Sequence, residues 1–72
     1  MYLDEIMKIG NDLKKRSWKN LKTGKSYQVI DVAYDATNSR EGNPVVVYRK
    51  SGYGFGIFVR DLSEFKLKFQ AI

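Results

Sequence analysis

The chain has 72 residues, of which 43% are apolar and 14% aromatic, and it contains neither cysteine nor histidine. A chain of this length accommodates one domain, and without disulfides or the usual thiolate and imidazole metal ligands its core depends on close packing or on self-association. Thirteen Lys and Arg against eight Asp and Glu give a net charge of +5, and no apolar run approaches the roughly 20 residues needed to cross a bilayer. We therefore expect a cytoplasmic protein with no cofactor and no membrane association.

Residues 2–16 have the spacing of an amphipathic helix. The apolar residues recur at intervals of three and four: Leu3, Ile6, Ile9 and Leu13. Acidic residues in the first turn and basic residues in the last complement the helix dipole, whereas Gly10 costs up to about 1 kcal/mol relative to Ala. The narrow stripe predicts a helix that packs against another element. If that stripe faces outward, it predicts a homodimer through this helix.

Short strands follow the helix. We predict them at residues 17–21, 26–34, 45–50, 55–60 and 66–71, from β-branched and aromatic runs separated by turn residues. Asp31 interrupts the second strand and predicts a polar position or a β-bulge. Residues 35–44 form a long loop, and residues 61–64 form a short turn that fits one turn of 3₁₀ helix.

This order predicts a mainly β (α+β) fold. The five strands and the one-turn spacer are typical of a small, partly open SH3-like barrel, which limits exposed sheet edges. We expect a single domain in which the N-terminal helix, residues 1–16, packs on a barrel formed by residues 17–72. An OB-type barrel is the nearest alternative, although its strands are usually longer.

Three segments carry a family resemblance. Residues 27–33 (Tyr-Gln-Val-Ile-Asp-Val-Ala) follow an aromatic at Trp18 and a turn at Gly24, residues 44–48 read Pro-Val-Val-Val-Tyr, and residues 59–65 read Val-Arg-Asp-Leu-Ser-Glu-Phe. From residue 18 to about residue 65 the chain thereby resembles a bacterial and phage family known as domain of unknown function 1653.

The chain also departs from that family's pattern. Its long loop has Thr37–Glu41 where the family usually has His-Ser-Glu-Thr, and Asp61 stands where the family has Pro. The N-terminal helix lies outside the resemblance. The resemblance implies one compact β module and transfers no activity.

Catalysis is disfavoured by the residue inventory. Without His or Cys, a nucleophile would have to be Ser, Lys, Tyr or a carboxylate, and the carboxylates are scattered. Asp31 is the one acid between apolar neighbours, and a strand Asp that points outward explains it better. The glycine-rich residues 51–56 lack Walker spacing and fit a hairpin turn. We expect that the protein is not an enzyme.

The basic segment of residues 14–19 is the first candidate site. Between Lys8 and Lys25 there are seven basic residues and one acid, a net charge of +6. Clustered cations neutralise phosphates, and the Trp18 ring offers a surface for stacking. The alternative is a solvated helix end with Trp18 in the core. The candidate residues here are Lys14, Lys15, Arg16, Trp18 and Lys19.

The hairpin is the second candidate site. It mixes aromatic and basic side chains, a composition that suits nucleic acid and protein partners alike: Arg49, Lys50, Tyr53, Phe55 and Arg60. Tyr53, at the tip, is the best single candidate for contact with a partner.

Two functions follow from these candidates. The first is a non-catalytic module that binds nucleic acid or a ribonucleoprotein, with an affinity that falls steeply as salt rises. The alternative is a protein-interaction module, such as a small phage-type effector that binds a host protein in the host cytoplasm through the long loop or the hairpin.

Overall fold

The computed structural model describes residues 3–52 and 56–72 of the chain. The elements follow in the order α1 (Leu3–Lys14), β1 (Ser17–Asn20), β2 (Ser26–Asp35), a 3₁₀ turn (Asn38–Arg40), β3 (Asn43–Lys50), β4 (Ile57–Asp61), α2 (Leu62–Lys68) and β5 (Phe69–Ala71). No helix in the described part is long and apolar enough to cross a membrane.

The strands form one antiparallel sheet in the order β4-β3-β2-β1-β5. The first four strands are therefore a meander, and the fifth returns to pair with the first. This confirms the predicted mainly β, five-stranded fold that follows an N-terminal helix. The sheet is not a closed barrel, because β4 and β5 are its two edges in the part of the chain that is described. We call the gap between these two edges the seam.

A β-bulge in β2 sets which side chains face the core. Val29 pairs with Tyr48 and Asp31 pairs with Val47, so Ile30 is the extra residue. The extra residue resets the alternation of side chains, and Val29 and Val32 consequently both pack against the core although they are three positions apart. Of the two alternatives that the sequence left open at Asp31, a polar position or a bulge, the ladder shows a bulge beside it.

Aromatic side chains form the centre of the core. Phe65 and Val46 are fully buried. The ring of Phe65 stacks on Phe69 with centroids 4.3 Å apart and meets Trp18 edge to face at 5.4 Å. Such ring pairs add roughly 0.5–1.5 kcal/mol each to the value of their burial, a large contribution for so small a domain.

Helix α1 packs on its own sheet. Ile6 and Leu13 are buried, and Gly10 lies against Val32, whose Cβ would be 3.5 Å from a Cβ built on the glycine. We expected a homodimer if the apolar stripe of α1 faced outward. Ile6 and Leu13 of that stripe are instead buried by the rest of the same chain. We therefore do not propose a dimer through it.

The predicted C-terminal elements were wrong in their boundaries. In place of a short turn and a strand from residue 66, the chain forms α2 and then a strand of only three residues, β5. Leu62 and Phe65, three positions apart, are both buried on one face of α2. The alternation that suggested a strand placed Leu67 inside, yet Leu67 is 77% exposed.

The long loop is shorter than predicted. Strand β2 continues to Asp35 and β3 begins at Asn43, so only residues 36–42 connect them, and they include the 3₁₀ turn. Pro44 pairs with Tyr34 inside the β2–β3 ladder, where the sequence had placed it in the loop.

Candidate functional site

Strand register brings four of the predicted basic residues to one outer surface. Ser17 of β1 lies opposite Gln28 of β2, and Gln28 lies opposite Arg49 of β3. Residues directly opposite each other in a sheet are about 5 Å apart, so Arg49 is brought towards the basic end of α1. A depression of about 610 Å³ lies between them, open to solvent. We call this surface the basic face, and its polar lining is Lys14, Lys15, Arg16, Ser17, Gln28 and Arg49.

The basic face carries unbalanced positive charge. Four cations line the depression and, among the described residues, none of those that line it is acidic. Lys14 Nζ lies 3.7 Å from Asp31 Oδ1, with both side chains substantially exposed. An exposed pair of this kind is worth about 1 kcal/mol or less, so another anion can displace Asp31. Arg49 Nη2 donates to Gln28 Oε1 at 3.3 Å, which orients the guanidinium.

Asp31, the acid considered as a catalytic candidate, points outward from β2. Its Oδ1 also accepts a hydrogen bond from the backbone N–H of Val32 at 2.8 Å, and its side chain is 65% exposed. The carboxylate is therefore solvated, and it pairs with Lys14 and with the backbone N–H beside the bulge.

Trp18 belongs to the core rather than to the basic face. Its indole Nε1 donates to the backbone carbonyl of Leu13 at 2.9 Å, and its ring packs against Phe65. Leu13 is the second-last residue of α1, and its carbonyl also accepts from the N–H of Arg16 at 3.4 Å. Trp18 thereby fixes the end of α1, and with it the basic residues 14–16, against the sheet.

The other predicted site residues are dispersed. Lys19 is exposed on β1, opposite Ser26 on one side and Gln70 on the other. Lys50 is half-buried opposite Tyr27 at the end of β3. The two remaining predictions, Tyr53 and Phe55, lie outside the described residues.

Arg60 lies at the seam, away from the basic face. Its Nε donates to the Tyr48 hydroxyl at 3.1 Å, its Nη1 pairs with Glu64 Oε1 at 2.7 Å, and its guanidinium carbon is 5.8 Å from the Phe69 ring centroid. The hydrogen bond to Tyr48 is the main cause that raises the pKa of Arg60 above its usual value. Arg60 of β4 thus reaches across the seam to Phe69 of β5, although these two strands do not pair in the part of the chain that is described.

Aromatic rings line a small cavity at the same place, which we call the seam notch. It has a volume of about 130 Å³. Its lining residues are Asn20, Tyr27, Tyr48, Phe58, Arg60 and Phe69. Phe58 is the exposed wall, at 46%, whereas Tyr48 and Phe69 are each 4% exposed. The ring centroid of Phe58 lies 5.6 Å from that of Tyr48 and 6.4 Å from that of Tyr27.

Comparison with known families gives one match. The model of a family described as "Protein of unknown function (DUF1653)" matches residues 21–70. The chain belongs to this family. The match confirms the resemblance inferred from residues 18–65. No curated protein and no solved structure matches the chain.

The basic face and the seam notch differ in how much of each lies within the DUF1653 match. Lys14, Lys15 and Arg16 precede it, so the basic face is built mostly from the part of the chain outside the family region. The aromatic walls of the seam notch and Arg60 all lie inside it.

Sequence reasoning found Arg60 but missed the notch around it. Tyr27, Phe58 and Phe69 stand on three different strands, and Asn20 ends a fourth. The direct pairing of Tyr48 with Phe58 could have been read from the predicted hairpin if its register had been known. The approach of Phe69 depends on the helix α2, which the sequence did not predict.

Proposed function

We propose that this DUF1653 protein is a non-catalytic module that binds nucleic acid, free or within a ribonucleoprotein, through the basic face. The observation that carries the proposal is that three cations from the end of α1 and a fourth from β3 line one solvent-open depression. Phosphate contacts supply most of the affinity of sequence-independent nucleic-acid binding.

The chemistry of the basic face favours contacts with the backbone of the nucleic acid. The lining includes the cations, Ser17 and Gln28, but it has no aromatic side chain in the described part, and Trp18 is engaged in the core. Cations and small polar groups bind phosphates, whereas base readout in single strands relies on rings that stack. Binding at this face is therefore expected to tolerate changes of sequence.

The salt dependence can be estimated from the number of cations. If all four contact phosphates, the logarithm of the affinity should fall with the logarithm of salt with a slope of about −2.8 for single strands and about −3.6 for duplex DNA. A slope of this size distinguishes phosphate binding from a largely apolar contact.

A protein-interaction module is the second candidate. Ile57 and Val59 of the edge strand β4 are 61% and 62% exposed, and Ile57 pairs directly with Arg49 of the basic face. Apolar side chains beside an arginine are typical of protein interfaces. A partner bound there should remain bound at moderate salt and should be lost when Ile57 and Val59 are replaced by polar residues.

The deciding experiment is fluorescence anisotropy with labelled single-stranded RNA, single-stranded DNA and duplex DNA at several salt concentrations. We expect Lys14→Ala/Lys15→Ala/Arg16→Ala to weaken binding at least tenfold at low salt and to make the salt slope shallower, by about two for single strands and by about three for duplex DNA.

A matched control separates the site from total charge. Lys8→Ala/Lys25→Ala/Lys66→Ala removes three exposed cations elsewhere, so it has the same net charge as the test variant. It should bind within about threefold of the wild type. Equal losses in the two variants, or no binding of any nucleic acid by the wild type at low salt, would refute the proposal.

A further inference from the structure

The seam notch adjoins a second cavity. This neighbour has a volume of about 330 Å³ and shares Asn20 and Arg60 with the notch. Its remaining lining residues are Leu21, Lys22, Leu67 and Lys68. A small aromatic cavity and a wider one with basic residues therefore lie side by side.

The aromatic end suits a flat, uncharged ring. Its volume of about 130 Å³ is too small for a folded segment. Phe58 is sufficiently exposed to be covered by a ligand, while Tyr48 and Phe69 close the far walls. A ring placed there meets aromatic faces and edges on several sides, the arrangement in which stacked and edge-to-face contacts form.

A cationic ligand is disfavoured at the same place. The guanidinium of Arg60 already lies over the Phe69 ring, and no carboxylate is among the described residues that line the notch. Glu64 is paired with Arg60 at 2.7 Å. The notch therefore offers a cationic ligand no free carboxylate among its described lining residues, and it suits an uncharged ring.

The polar groups where the two cavities adjoin favour a ligand that accepts hydrogen bonds. The Oδ1 of Asn20 accepts from the backbone N–H groups of Lys22 at 2.9 Å and Thr23 at 3.2 Å. This orientation commits the oxygen to the turn and leaves the amide NH₂ to serve as a donor at the cavity. Tyr48 accepts from Arg60, so its hydroxyl can donate as well.

The wider end suits an anion. Its lining includes three cations, Lys22, Lys68 and Arg60, and two apolar side chains, Leu21 and Leu67. Leu21 and Leu67 are 55% and 77% exposed, so the sugar of a nucleotide would cover apolar surface that water now covers. A planar base joined through a sugar to a phosphate matches an aromatic cavity beside one that is lined by apolar and basic groups.

We propose that the seam binds one unstacked nucleotide of a single-stranded nucleic acid, with its base against Phe58 and its phosphate at Lys22 and Lys68. This inference rests on the proposed function and specifies that the bound nucleic acid is single-stranded.

Strand β1 connects the two sites. Its ends, Ser17 on the basic face and Asn20 at the seam, are three residues apart, or about 10 Å along a strand. Ser17 and Lys19 share the exposed face of β1, and Lys22 is exposed in the turn that follows the strand. A single strand that crosses β1 from the basic face would pass Lys19 before it reached Lys22 at the seam.

The test compares a labelled single-stranded oligonucleotide with an abasic oligonucleotide of the same length and backbone charge. Stacking of a base on an aromatic platform is worth about 5- to 150-fold in affinity. We expect the wild type to prefer the base-containing strand by a factor in this range. Phe58→Leu should remove the preference and leave abasic binding unchanged, while Phe58→Tyr, which keeps the ring, should retain it.

Two controls separate the loss of base binding in Phe58→Leu from a loss of protein stability. Val59→Ala changes the neighbouring exposed residue, which does not line the notch, and should behave as the wild type. In the wild type itself, the NMR signal of the Asn20 side-chain amide should shift with the base-containing strand and not with the abasic one.

The possible results separate the two proposals. Equal affinity of the wild type for both strands, or an unshifted Asn20 amide, would overturn the seam site and leave the basic face in place. No binding of either strand would overturn both proposals.

Discussion

Replacing Gly10 by Ala should stabilise the protein. The glycine is buried in the middle of α1, and an added Cβ would lie 3.5 Å from Cβ and Cγ2 of Val32, an ordinary van der Waals distance. Ala is favoured over Gly in a helix interior by about 0.8–1.0 kcal/mol, and the new methyl would gain up to about 0.8 kcal/mol from burial. We expect a net gain of about 1–1.5 kcal/mol in the free energy of unfolding.

Thermal unfolding followed by circular dichroism measures this gain. For a domain of this size, about 1 kcal/mol raises Tm by roughly 4–8 °C. Asn11→Ala is the matched control, because Asn11 is the next residue of α1 and is exposed. It should be stabilised only by the higher helix propensity of Ala over Asn, about 0.5 kcal/mol, because it buries no new methyl group.

A larger side chain at the same position should have the opposite effect. In Gly10→Leu the atoms beyond Cβ would overlap Val32, and overpacking of this kind costs about 1–3 kcal/mol. If Gly10→Ala lowers Tm, or if Gly10→Leu leaves it unchanged, then α1 does not pack on β2 as described. The basic face would then need another explanation.

Three further substitutions test the core and one turn. Trp18→Phe keeps most of the ring but loses the 2.9 Å hydrogen bond to the Leu13 carbonyl, and urea denaturation should show a loss of about 0.5–1.5 kcal/mol; an unchanged midpoint would contradict the anchoring role. Phe65→Ala empties a fully buried position and should cost about 3–5 kcal/mol, visible as loss of the native near-UV circular dichroism at 25 °C. Gly24→Ala should cost about 1–2 kcal/mol in the same urea assay, because φ is +75° and no neighbouring atom lies within 4 Å of the added Cβ; Gly24→Asn should cost less, and equal costs would argue against a backbone origin.

Local patterns were sufficient to predict the first four strands and to offer a bulge as one of two alternatives at Asp31. The β-branched run of residues 26–34 and the charge at Asp31 are properties of adjacent residues, and the ladder with its shift between Val29 and Asp31 agrees with them. The start of β1 at Ser17 was predicted for the same reason. Each of these features depends on one segment and one turn.

The C-terminal segment shows where local patterns fail. Residues 66–71 alternate basic or polar with apolar side chains, as a half-buried strand does. The same residues also fit a helix that carries Leu62 and Phe65 on its inner face, and that helix fills the core with Phe65. Tertiary packing decided between two patterns that the sequence allows, and the position of Phe69 at the notch follows from that decision.

The candidate sites differ in the same way. The cations of residues 14–16 are adjacent in sequence, so their clustering needed no fold to be seen, and the sheet register added only Arg49. The seam notch takes its lining from all five strands, and no short segment of sequence contains it. The notch exists because the returning strand β5 pairs with β1 while β4 stays at the opposite edge, which leaves a gap that aromatic side chains and Arg60 line. A closed sheet would replace that gap with backbone hydrogen bonds, so the open edge pair is what makes room for a ligand.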